Sequence, residues 1–197
     1  TQQAQIIWST ALPKGLLARI MLCVNHSPIS SKMKKVITEN MEKDEAFYKK
    51  FSDLIEKTIE AFNQSRIDEK KYLERILELR TDMEKGHQEG IPESIRHEPK
   101  IRAFFGGMNE VIENYFGEEK SVEIKLELAN MAKDVESLVS RMIIRDWKRN
   151  VDVQNQMENE IEDYLMENSQ RLGLELSFDQ IDAILAKAMK VAKHNYS

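Results

Sequence analysis

The stretch "DEAFYKKFSDLIEKTIEAF", residues 44–62, limits what this chain can become. Phe47, Phe51, Leu54, Ile55, Ile59 and Phe62 recur at spacings of three and four, which places them on one side of an α-helix. The same period returns along the chain, and the strict alternation of a half-buried strand is nearly absent. "DEKKYLERILELRTDMEK" offers Tyr72, Leu73, Ile76, Leu79 and Met83 as a second inward stripe. Asp44 and Asp68 stand where N-caps belong, and "NQS" at 63–65 makes a short turn between two antiparallel helices.

After the breaker-rich loop "GHQEGIPESIRHEP" (86–99), a helix is predicted from about Lys100 to Phe116, with Gly117 as its stop. A longer one follows from about Glu119 to Ile144, carrying Leu128, Ala132, Val135, Val139 and Met142. Beyond a turn near "KRN", Val153, Met157, Ile161 and Leu165 make another stripe. The last helix, "SFDQIDAILAKAMKVAK", opens on a Ser-x-x-Gln capping box and turns Ile181, Ile184, Leu185, Ala188 and Ala192 inward. None of these helices is stable alone, so their stripes must cover one another. The expected fold is all-α, a multi-helix bundle of about seven amphipathic helices.

Composition agrees. Only seven glycines and four prolines interrupt 197 residues, of which 32% are charged. A net charge of −5 disfavours a surface that binds nucleic acid throughout, though not a local basic face. One cysteine, Cys23, cannot form an internal disulfide, and a cytoplasmic protein is the simple expectation. "GLLARIMLCV" (15–24) is too short to span a bilayer and contains Arg19, so a core helix is expected there and no membrane contact. Residues 1–30 form an atypical segment, helical in part, and the opening threonine suggests a fragment or a processed chain.

Chemistry-bearing patterns are weak. Glu123 and Lys125 spell the E-x-K of many metal-dependent nucleases, but on a helix two such residues point about 200° apart. Glu84 and His87 give one E-x-x-H, where a di-iron bundle needs two. "DEAF" (44–47) spells a helicase box, yet no phosphate loop precedes it. No nucleophile and base are ordered together. Catalytic, cofactor and metal sites are therefore not expected. Two basic clusters are candidates for nucleic-acid contact: Lys32, Lys34 and Lys35, and Arg145, Lys148 and Arg149 around Trp147. Against this stands the ordinary reading of surface lysines and a core tryptophan.

"RDWKRNVDVQNQMENEIEDYL" (145–165) resembles the closing helices of the R (restriction) subunit of type I restriction-modification enzymes. The likeness rests on Asp146-Trp147, Asn150, Asp152-Val153-Gln154-Asn155, Met157 and Asp163-Tyr164-Leu165. Upstream, "ITENMEKDEAFYKKFSDLIEKTIEAF", "RIDEKKYLERILELR" and "IPESIRHEPKIRAFFGGMNEVI" are similar to the preceding part of that region, and "LSFDQIDAILAKAMKVAKHNY" to its end. The likeness covers about residues 31–197, read as one C-terminal helical assembly domain. It departs from the family at Glu45, where a proline is common. The resemblance implies a module that docks a motor and nuclease onto methyltransferase (M) subunits, meeting DNA through the complex. ATP and Mg would then act elsewhere in the parent chain. Asp146, Trp147, Asn150, Asp152, Asn155, Asp163 and Tyr164 are the candidate partner-binding residues. Helix caps, solvated carboxylates and a half-buried tyrosine are the alternative account of the same groups.

Overall fold

The computed structural model describes residues 28–196. Seven α-helices run through them: α1 (Pro28–Asn40), α2 (Glu45–Asn63), α3 (Glu69–Glu84), α4 (Pro99–Phe116), α5 (Glu118–Met142), α6 (Val151–Asn168) and α7 (Phe178–Asn195). Short 3-10 turns at Glu93–Ile95, Trp147–Arg149 and Ser169–Leu172 lie in the connections. No strand occurs among the described residues, as the periodicity requires. The apolar run at 15–24 falls outside them.

The helix ends follow from the sequence. Asp44 and Asp68 accept hydrogen bonds from the backbone N–H groups of Phe47 (3.3 Å) and Lys71 (2.8 Å), relieving donors with no partner inside the first turn. Pro99 is the first residue of α4, where its missing N–H costs nothing. Gly117, at φ +87°, ends α4 and begins α5 in a conformation that a side chain would resist. The Ser177–Gln180 capping box opens α7.

The stripes close into two separate cores. Met33, Ile37, Phe47, Phe51, Ile55, Ile59, Tyr72 and Ile76 form one, drawn entirely from α1–α3. The other runs from Ile95 through α4, α5, Trp147, α6 and α7 to Tyr196. At about 1.5–3 kcal/mol for each large apolar side chain fully buried, either core is a substantial source of stability. Ile91, in the connection after α3, packs against both.

α4 is the central element, packed on α2, α5 and α7. Two adjacent glycines let it be approached closely by two different helices. A Cβ on Gly106 would lie 2.7 Å from the Cβ of Ala46 on α2, and one on Gly107 would lie 3.1 Å from the Cβ of Lys187 on α7.

Two stripes differ from expectation. Leu73, predicted inward, is 38% exposed, because α3 is an edge helix that only Tyr72 and Ile76 anchor fully. α5 buries more than its predicted stripe, adding Ile124, Ala129 and Met131, because α4 and α6 cover it from two sides.

Candidate partner-binding face

"RDWKRN" builds the reversal between α5 and α6. Asp146 adopts the left-handed conformation (φ +60°), which a short polar side chain tolerates better than most. Trp147 then drops into the larger core and is fully buried, its indole Nε1 making no hydrogen bond among the described residues. Asn150 caps α6 through Val153 N–H at 3.3 Å, and Gln154 Nε2 donates to the Lys148 carbonyl at 3.0 Å. Arg145, Asp146, Lys148 and Arg149 stay exposed at this end of the bundle. Arg145 and Asp146 approach only to 3.9 Å with side chains 97% and 76% exposed, too solvated a pair to hold the turn.

The outer face of α6 is unusual in composition. Asp152, Asn155, Asn159 and Asp163 recur at spacings of three and four, all exposed, and none makes a hydrogen bond or ion pair among the described residues. Val151 (64% exposed) and Met166 (40%) flank the row. Asn159 was not singled out from the sequence, although its spacing from Asn155 and Asp163 marks it.

Tyr164 faces the other way. Its hydroxyl donates to Asp134 Oδ2 on α5 at 2.6 Å, and Arg171 Nη1 reaches the same oxygen at 3.3 Å. Burial, reinforced by the bond to Asp134, pushes the Tyr164 phenol above its ordinary range. Of the seven residues picked out in this segment, Asp152, Asn155 and Asp163 are exposed and without a side-chain partner among the described residues, and Asp146 is exposed beside Arg145. Asn150 serves as a cap, Trp147 belongs to the core, and Tyr164 ties α6 to α5.

The two basic clusters lie on different elements. Lys32, Lys34 and Lys35 are exposed on α1, with Lys35 3.8 Å from Glu39. Arg145, Lys148 and Arg149 occupy the α5–α6 reversal, and no ion pair or hydrogen bond links the two sets.

Glu123 and Lys125 both sit on α5. Glu123 pairs with Lys120 at 3.0 Å, while Lys125 turns toward a groove between α2, the 88–91 connection, α4 and α5. Glu84 pairs with Arg80 at 2.7 Å, at the end of α3. No group of three or more His, Cys, Asp or Glu suited to a metal ion occurs among the described residues.

A charged pair unseen from sequence lies on the floor of that groove. Arg102 Nε donates to Asp44 Oδ2 at 2.7 Å, with side chains 7% and 4% exposed, and Arg102 Nη1 reaches the Arg96 carbonyl at 3.1 Å. The guanidinium lies 3.7 Å from the centre of the Phe47 ring. Burial pushes the Asp44 carboxyl up from the ordinary carboxylate value, and the Arg102 charge and hydrogen bond pull it back part of the way. An arginine in the run "IRAFF" was the available hint. Its partner, 58 positions away, was not.

Seven α-helices closed around apolar cores make the described residues an all-α helical bundle. More specifically, the chain belongs to the family described as "Type I restriction enzyme HindI endonuclease subunit-like, C-terminal", whose model matches residues 28–194. Comparison with the curated proteins and with the solved structures gave no match.

Proposed function

We propose that this chain is the docking module of a type I restriction R subunit and anchors the subunit's motor and nuclease parts to the methyltransferase core. The observation that carries this reading is the outer face of α6. Asparagine in a helix interior costs up to about 0.7 kcal/mol relative to alanine, and Asn155 and Asn159 recover none of it through bonds among the described residues. A row of unpartnered amides and carboxylates with an exposed apolar residue at each end suits an interface that takes register from hydrogen bonds and energy from its few apolar contacts. On this reading the module is itself non-catalytic and cytoplasmic. Its parent cuts DNA with ATP-driven translocation, using ATP and Mg bound elsewhere, and DNA is met through the assembled complex.

Calorimetric titration of the chain with purified methyltransferase subunits tests this directly. Asp152→Ala, Asn155→Ala and Asp163→Ala together should weaken binding at least about tenfold, or 1.4 kcal/mol, while thermal stability stays near that of the parent chain. Undiminished affinity in the triple variant would remove α6 as the docking face. A second reading, direct DNA contact, is favoured by one observation: Lys32, Lys34, Lys148 and Arg149 are exposed and make no ion pair among the described residues, and Arg145 has only the solvated Asp146 beside it. It predicts duplex retardation that weakens steeply with salt and falls, for every sequence alike, on charge reversal at Lys34 and Lys35.

A further inference from the structure

The join between the two cores differs in kind from either core. α1–α3 enclose one set of apolar side chains and α4–α7 another, and Ile91 in the connection is the side chain packed on both. The ties that cross the join are mostly polar, and they gather in the short stretch 42–45. Glu42 meets His194 at 3.3 Å, and the Lys43 carbonyl accepts from Asn195 Nδ2 at 2.7 Å. Asp44 meets Arg102 and Glu45 meets Lys190, both at 2.7 Å. Beside them the helices touch through the two smallest side chains available, Ala46 resting on Gly106.

Polar, limited interfaces between packed units permit relative motion, whereas large apolar ones suppress it. A buried ion pair contributes less to stability than to fixing one arrangement, since its desolvation offsets much of its attraction. The connection is suited to bending. Gly90 adopts φ +91° with nothing near the position a Cβ would take. The later part of the segment is fixed to the larger core by the fully buried Ile95 and by Arg102 on the Arg96 carbonyl. That leaves the stretch around Gly90, touched by Lys50 on the Glu89 carbonyl, as the place to bend. Alongside the ties a groove of about 700 Å³ separates the units, with Lys49 and Lys50 on one wall and Asn109, Glu113 and Lys125 on the other.

We infer that α1–α3 form a lobe that swings on the α4–α7 bundle, bending about Gly90 in the connection between α3 and α4. The cluster at 42–45 is the latch that holds the groove at its observed width. Asp44–Arg102 lies on the groove floor, its guanidinium against Phe47 of the smaller core. The other three ties join the start of α2 to α7, so releasing those three loosens the join without touching either apolar core. This inference concerns the chain by itself and stands whether or not α6 binds a methyltransferase subunit.

Distance measurement between spin labels tests it in the full 197-residue chain. Cys23→Ser removes the native thiol, and Glu56→Cys on α2 with Asn130→Cys on α5, both exposed positions, carry the labels. The latched chain should give one dominant distance. Asp44→Asn with Arg102→Met removes the buried pair without stranding a charge. Glu45→Gln, Lys190→Gln and His194→Gln remove the solvated ties. Each set should add a second distance population, with helical circular dichroism unchanged. If the first set does not fold, the second must by itself shift the distribution. A single unchanged distance in every folded variant would show the two cores to be one rigid body and overturn the inference.

Discussion

Gly106 to alanine is the sharpest probe of how α4 is packed. In an exposed helix this substitution would stabilise by about 1 kcal/mol, because glycine is the poorer helix former by that amount. Here the new Cβ would sit 2.7 Å from the Cβ of Ala46, an atom fixed to the α2 backbone and unable to rotate away. Carbon atoms prefer roughly 3.5–4.0 Å, so about an ångström must come from moving one helix against the other. Overpacking typically costs about 1–3 kcal/mol, and against a Cβ that cannot rotate away the upper part of that range, about 2–3 kcal/mol, applies. Subtracting the propensity gain of about 1 kcal/mol leaves a net loss of about 1–2 kcal/mol. With a urea slope of about 2 kcal/mol/M, the midpoint should fall by about 0.5–1 M at an unchanged slope. Gly107→Ala is the control. Its Cβ would lie 3.1 Å from Lys187 Cβ, a shortfall small enough for the propensity gain to offset, so its midpoint should stay within about 0.3 M of the parent. Ala46→Gly should relieve the Gly106→Ala penalty in a double-mutant cycle. A Gly106→Ala protein as stable as the parent would refute the close approach of α2 to α4.

Two further outcomes follow from buried polar groups. Arg102→Ala strands the Asp44 carboxylate and should cost about 3–5 kcal/mol in urea unfolding, whereas Asp44→Asn with Arg102→Met should cost clearly less; equal losses would show that the charges do not act as a pair. Tyr48, Tyr164 and Tyr196 are all held neutral, chiefly by burial, with Asp134 and Glu136 reinforcing the effect at the last two. Their folded pKa values lie above that of the unfolded chain, so this contribution to stability is complete below about pH 10 and is lost as pH rises beyond it. Absorbance near 295 nm should show these phenols ionising at higher pH in the native than in the urea-unfolded protein, and coincident curves would contradict their burial.

Where a local signal decides structure, the sequence was a sufficient guide. Asp44, Asp68, Asn150 and Ser177 mark helix starts because capping involves groups only three residues apart. The stripe of α2 was visible because Phe47, Phe51, Ile55 and Ile59 meet one continuous surface. Leu73 was misplaced because its burial depends on how many neighbours α3 acquires, which periodicity within α3 does not encode. The division into two cores was hidden for the same reason: every stripe looks alike until its partners are known. The candidate face was partly legible. Spacing put Asp152, Asn155 and Asp163 on one side of a helix, but Tyr164 shares that neighbourhood and binds Asp134, 30 positions earlier. Arg102 looked like an intrusion on an apolar run until Asp44 was seen beneath it.

The order of synthesis gives the two cores different histories on the ribosome. The smaller one uses side chains between Met33 and Ile76, so all of them have been joined to the chain before α4 begins, and collapse there can start before the larger core is complete. The larger one waits for residues as late as Tyr196, whose hydroxyl reaches Glu136 and whose ring lies beneath Lys100. A stalled or prematurely terminated chain would therefore carry a finished front half and a greasy, unclosed remainder, which marks it for chaperones and proteases.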